Sequence, residues 1–258
     1  MKKHINIENK IIPIVFQLLI LFIWQISIDK WKVPQYILPS PKEIIVTLVN
    51  ILPSISNHIY TTLYEALIGF IISIFVALVL AILMDNVKLI KKCIYPIILV
   101  SQTIPIIALA PLFVIWFGFG ILPKIIVVVL VCFFPIVVSL IDGLESVDED
   151  MVNLLKTMGA SKFQIVTMVK LPSSTVNFFS GLRIAATYSI MGAVIGEWLG
   201  GDKGLGVYMI RAKNSYALDK VFAVIIIIVI LSMGLFGLLY LLQYLFTPWS
   251  RSSTDKKN

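Results

Sequence analysis

The 258 residues are 59% hydrophobic and 14% charged, with a formal net charge of +7 and a mean hydropathy of +0.98. A soluble domain of this length carries about a quarter charged residues. The shortfall, together with predominantly apolar runs of about 18 residues or more, excludes a water-soluble globular core and points to a multi-span membrane protein.

In chain order, spans are expected near residues 11–28, 61–84, 94–117, 122–142, 176–198 and 221–246. The fold class is therefore all-α, a polytopic bundle of six transmembrane helices, with residues 1–258 forming a single membrane domain. Lys2 and Lys3 precede the first run as in a signal peptide, but "SIDKWKVPQ" offers no small-residue cleavage site, so the run reads as a retained anchor. Residues 36–52, "YILPSPKEIIVTLVNIL", read as an external segment whose later part lies along the membrane interface as a short helix. Pro105, Pro111, Pro135, Gly192 and Gly196 fall inside spans, where neighbouring helices can satisfy the freed backbone groups.

Orientation follows the basic residues. With the N-terminus inside, twelve Lys and Arg lie on the cytoplasmic side, eight lie outside, and Arg183 sits within the fifth span. Both termini are thus expected in the cytoplasm. The positive charge reads as membrane topology, with the lipid bilayer as partner and no nucleic acid. Cys93 and Cys132 both lie in or beside apolar runs and imply neither a disulfide framework nor a metal site.

The loop between the fourth and fifth spans is unusually well punctuated. Ser146 followed by Glu149 fits a capping box, and Asp148, Glu149 and Asp150 suit the positive end of a helix. Met151, Leu154, Leu155 and Met158 fall at i, i+3, i+4 and i+7 on one apolar stripe. Gly159 can end that helix in a left-handed conformation. Ser161 with Gln164 is a second capping box, opening a helix that Pro172 helps close. The expectation is a rigid angular hairpin over 148–172 whose stripe docks on a cytoplasmic partner. The alternative is an amphipathic piece resting on lipid, against which the acidic first turn counts.

Gly159, nine intervening residues and then Val169-Lys170-Leu171-Pro172 resemble the cytoplasmic signature of ABC importer permeases, Glu-Ala-Ala-x3-Gly-x9-Ile-x-Leu-Pro. Asn153, Leu154 and Leu155 stand where that signature has Glu-Ala-Ala. The likeness continues through "LPSPKEI" (38–44), "PIIALAPLFVIWFGFG" (105–120), "GLRIAA" (181–186) and "GEWLGGDKGLGVYMIRA" (196–212), spanning about 38–245. It is closest to the branch importing nitrate, sulfonates, taurine and thiamine or riboflavin precursors. The resemblance implies a type I ABC importer fold working as two permeases, a cytoplasmic ATPase dimer and a periplasmic or extracellular substrate-binding protein. The second permease would be another copy of this chain. The hairpin would be the coupling element, through Met151, Asn153, Leu154, Leu155, Met158, Gly159, Ala160, Ser161, Leu171 and Pro172. "IGEWLGGDKGLGVYMIRAKNSY" (195–216) resembles permeases for pyrimidine-type thiamine precursors, with riboflavin, taurine or other sulfonates and nitrate as alternatives.

The chain has no G-x-x-x-x-G-K-[ST] phosphate loop, so it is expected to be no enzyme, with ATP and Mg on the partner ATPase and no cofactor of its own. His4 and His58 have no ligand-spaced partners, and "GGDKGLG" (200–206) reads as a tight external turn. Intramembrane polar groups face protein or a watery path. Gln102, Thr103, Tyr188 and Ser189 therefore line the translocation pathway or serve helix–helix packing, and both readings stand. Glu65 and Glu197, near the outer surface, are candidates for contact with the binding protein. An ion-coupled secondary transporter would need buried carboxylates or inverted repeats, and a membrane enzyme a converging acid, base or metal cluster. None of these is evident in the sequence.

Overall fold

The computed structural model describes residues 7–248, and among them every regular element is helical. Lys2, Lys3 and His4 lie outside the described residues, as do Arg251, Lys256 and Lys257. The helices are α1 (Ile7–Trp31), α2 (Pro41–Asn86), α3 (Lys88–Ser101), α4 (Ile106–Phe117), α5 (Ile121–Glu145), α6 (Glu149–Thr157), α7 (Lys162–Ile165), α8 (Leu171–Glu197), α9 (Leu205–Asn214) and α10 (Leu218–Phe246). Five are long and apolar enough to cross a membrane, or six when the bent pair α3–α4 counts as one span. The chain divides into two compact units, one of residues up to Ser56 with Tyr208–Ile227, the other of Asn57–Val207 with Ile228 onward.

In the first unit α1 is apolar on all sides and mostly exposed, with Phe16, Phe22 and Ile12 turned outward, as a lipid-facing helix requires. Trp24 packs edge-on against Phe222 at 5.9 Å between ring centroids. The Thr47 hydroxyl donates to the Asp219 carboxylate at 2.8 Å. Burial and then the Asp219 charge push the Tyr208 phenol above its ordinary range. "SPKE" is a helix start: the Ser40 N–H donates to Glu43 Oε2 at 2.8 Å and the Glu43 N–H to Ser40 Oγ at 3.3 Å, with Pro41 at the first helical position.

That start changes the expected layout. The short interfacial helix and the second span are one continuous 46-residue helix, more than twice the length of about 20 residues that a span needs. Pro53 does not break it. The neighbouring Ser54 hydroxyl donates to the Ile51 carbonyl at 2.8 Å.

The second unit holds the core. Its centre is the extensively packed α5–α8 pair. Ile136, Val137, Leu140, Ala185, Ile190 and Ala193 are fully buried there. Small residues of α8 set the close approach: a Cβ at Gly192 would stand 2.6 Å from Val131 Cγ2, and one at Gly181 2.7 Å from the Pro135 carbonyl oxygen.

Two other expectations are corrected here. The third span is not straight, because α3 and α4 meet at 103°. Pro105 cannot donate to the ladder and disfavours helix at Ile104, so Thr103 and Ile104 donate three residues back to Val100 and Ser101 and Pro105 restarts the chain as the cap of α4. Pro172 closes no helix either. From Lys162 the chain is continuously helical to Glu197, through a π-turn at Val166–Lys170 whose Leu171 N–H reaches five residues back to the Val166 carbonyl. Pro172 sits in the first turn of α8, where its missing N–H costs little.

Candidate functional site

The polar hairpin is built by local chemistry. α5 runs to Glu145 with Ser146 as its C-cap, and the Ser146 hydroxyl donates back to the Gly143 carbonyl at 2.9 Å. Ser146 is therefore not the cap of the hairpin, as expected from its spacing to Glu149. Asp148 is, its carboxylate accepting from the Asp150 N–H at 2.9 Å. Glu149 and Asp150 in the first turn of α6 and Lys156 in its last complement the helix dipole.

α6 ends as expected. Gly159 has φ +83°. The Ala160 N–H donates to the Leu155 carbonyl and the Gly159 N–H to the Lys156 carbonyl, both at 3.0 Å. These are the paired closing bonds of a left-handed glycine terminus. The second box is formed in both directions, Gln164 N–H to Ser161 Oγ at 3.3 Å and Ser161 N–H to Gln164 Oε1 at 2.8 Å.

The resulting corner displays apolar surface. Met151, Leu154 and Met158 are 53%, 60% and 74% exposed, and Phe163 beyond the corner 76%. Leu155 is half-buried, while Asn153 is exposed and accepts from Lys156 Nζ at 3.3 Å. Leu171 is half-buried against the core and Pro172 exposed. Lys170 Nζ meets Asp85 Oδ1 at 2.6 Å, joining the base of α8 to the end of α2, and Lys91 pairs with Glu145.

Away from the hairpin, where the middle of α2 meets the start of α5 and the end of α8, lies a buried polar cluster that spacing arguments do not reveal. Glu65 of α2 and Glu197 of α8 are each 1% exposed, and Lys124 of α5 is buried beside them. Lys124 Nζ donates to Glu65 Oε1 at 2.8 Å. Glu197 accepts from the Thr62 hydroxyl and the Gly206 N–H, both at 2.6 Å. Thr62 in turn accepts from the Leu205 N–H at 2.9 Å, and the Gly204 N–H lies 3.0 Å from His58 Nδ1. The glycine-rich turn is thus clasped by side chains from α2 and α8. The Glu65 and Glu197 carboxylates, expected as candidates for contact with a binding protein, are engaged inside the bundle.

Of the other candidates, Gln102 and Thr103 are exposed at the α3–α4 break, and the Thr103 hydroxyl donates to the Val100 carbonyl at 2.7 Å. Tyr188 is exposed on α8, on one stripe with Ile184 and Met191. Ser189 is fully buried and donates within its own helix to the Ala186 carbonyl at 2.8 Å. Arg183 reaches Gln243 of α10 at 2.6 Å and lies over the Phe236 ring. Among the described residues no group of three or more His, Cys, Asp and Glu side chains is placed to hold a metal ion.

The model of the family described as binding-protein-dependent transport system inner membrane component matches residues 69–252. The chain is 38% identical to the formylaminopyrimidine transport permease protein ThiX of Halalkalibacterium halodurans, over 93% of its own length and 96% of that protein's. It is 29% identical to the riboflavin transport system permease protein RibX of Chloroflexus aurantiacus, over 93% and 90% of the two lengths. A chain of the MetNI methionine ABC transporter, solved in inward facing conformations, matches the fold with a TM-score of 0.61 at 18% identity, over 76% of this chain and 96% of that one.

A helical membrane bundle of this kind, carrying this signature, is the permease subunit of an ABC importer. The chain belongs to the binding-protein-dependent transport system inner membrane component family. Its role is transport rather than catalysis, ATP hydrolysis being the task of a separate chain.

Proposed function

We propose that this permease imports a formylaminopyrimidine-type precursor of thiamine. The observation that carries the cargo is the 38% identity to a formylaminopyrimidine permease along 93% of the chain, against 29% to a riboflavin permease over the same share. Riboflavin, taurine or another sulfonate, and nitrate are the competing cargoes of the same mechanism.

In this reading the whole chain is one permease domain, paired with a second copy, with both termini in the cytoplasm. A cytoplasmic ATPase dimer carries ATP and Mg, and an external binding protein delivers the cargo. The hairpin 148–172 is the coupling element. Supporting this, Met151, Leu154 and Met158 present exposed methyl and thioether surface on a helix fixed at both ends, a form suited to seating in a partner's groove. Because α7 runs through the π-turn into α8, a push on the corner reaches a span without passing through a flexible link. Tyr188 with Ile184 and Met191 forms the pathway-facing stripe of α8, Gln102 and Thr103 join it from the α3–α4 break, and Ser189 serves packing.

The test is uptake by proteoliposomes holding this permease with the ATPase and binding protein of the same source. ATP-dependent accumulation of labelled formylaminopyrimidine, uncompeted by riboflavin or taurine, is expected. Uptake of riboflavin or taurine alone would overturn the cargo, and uptake without ATP would overturn the mechanism.

A further inference from the structure

Beside the hairpin a cavity of about 660 Å³ opens between the ends of α2 and α5, the start of α3, and α6. Five lysines line it: Lys88, Lys91, Lys92, Lys156 and Lys170. The carboxylates facing the same space are Asp85, Glu145 and Glu149. Two of these are already committed, Asp85 to Lys170 and Glu145 to Lys91. Among the described residues no carboxylate forms an ion pair with Lys88, Lys92 or Lys156. Five ammonium groups against three carboxylates leave two positive charges in one concavity. Like charges gathered in a cleft focus a positive potential there, which an anion relieves.

α3 indicates which anion. Leu89, Ile97 and Val100, at i, i+8 and i+11, are 70%, 66% and 67% exposed, and Cys93 at i+4 is exposed with them. The helix therefore carries an unpartnered apolar stripe that begins beside the lysines. A ligand with a phosphate head and acyl tails fits both features, the head among the lysines and the tails along the stripe.

We propose that this cleft binds a phosphodiester, that of an anionic phospholipid headgroup, against the base of the coupling hairpin. The site is separate from the hairpin's exposed stripe and from the translocation pathway. Bound there, the phosphodiester offsets one of the two excess charges shared among Lys156 on α6 and Lys88 and Lys92 on α3, and so bridges the hairpin to the membrane. The proposal rests on the reading of residues 148–172 as the coupling element only for its consequence, not for the binding itself.

The assembled transporter is placed in nanodiscs of phosphatidylcholine, of phosphatidylcholine with phosphatidylglycerol, or of phosphatidylcholine with inorganic phosphate in the buffer. Acylation rates of Lys88, Lys92 and Lys156 are read against the exposed Lys203 of the same chain. Nanodiscs leave both membrane faces open, so the result does not depend on which way the chain is threaded, and its failure leaves the coupling reading standing. Phosphatidylglycerol is expected to slow the three lysines about fivefold relative to Lys203. Lys88→Gln/Lys92→Gln/Lys156→Gln is expected to lose phosphatidylglycerol that co-purifies with the wild type. Equal slowing by inorganic phosphate in phosphatidylcholine discs overturns the lipid as occupant and assigns the cleft to a soluble phosphate. Equal rates in all three media overturn the proposal, whether the lysines are free throughout or covered by an acidic protein segment.

Discussion

Lys124 Nζ lies 2.8 Å from Glu65 Oε1, with the two side chains only 8% and 2% exposed. The pair ties α5 to α2, and beside it Glu197 ties α8 to the turn at Gly204–Gly206. Breaking one side of such a pair leaves a buried charge without its counter-ion, a loss of about 3–5 kcal/mol. Lys124→Met is expected to lower the thermal midpoint of the purified permease strongly, and Lys124→Met/Glu65→Leu to recover much of that loss. Equal midpoints for Lys124→Met and the wild type would show that the pair does not hold the bundle.

Asp85 and Lys170 make the corresponding tie at the hairpin end, 2.6 Å apart. Both are partly shielded from water, so the charge-assisted bond contributes about 1.5–3 kcal/mol. Asp85→Asn and Lys170→Met should each reduce cargo uptake while ATP hydrolysis by the assembled transporter persists. The exchange Asp85→Lys/Lys170→Asp should restore uptake in part. A swap no better than the single variants would assign the loss to the individual side chains and not to the tie.

Gly159 has φ +83° and open space where a Cβ would stand, so a substitution there strains the backbone without a clash. The cost for a β-branched residue is about 1–3 kcal/mol, too little to unfold the bundle and enough to misaim the chain beyond the corner. Gly159→Val should keep its membrane level and lose ATPase co-purification and uptake, while Gly159→Asn, which tolerates the left-handed region, should keep most of both. Wild-type behaviour of Gly159→Val would end the coupling role of residues 148–172.

Topology is tested by single cysteines in a Cys93→Ser background, since Cys93 is exposed and Cys132 buried. In intact cells Lys203→Cys should react with an impermeant maleimide, and Lys156→Cys only after permeabilisation. Labelling of position 156 from outside would reverse the orientation.

What the sequence by itself determined was the membrane class, the approximate place of the spans and the corner of the hairpin. Apolar run length reports transfer into hydrocarbon directly, and Gly159 or Ser161 with Gln164 act within one helical turn, so their partners are adjacent in the chain. The same local logic was available in "SPKE", whose box at Ser40 and Glu43 marks the start of α2. It misled at Ser146, where α5 claims the residue first, and at Pro172, which the π-turn absorbs. The tertiary structure alone decided the pairing of Lys124 with Glu65, 59 residues apart, and of Thr62 with Glu197, 135 apart. Hydropathy ranks how costly each polar group is in lipid, but a buried charge is stabilised by whichever partner packing brings within about 3 Å, and that is set by how α2, α5 and α8 cross.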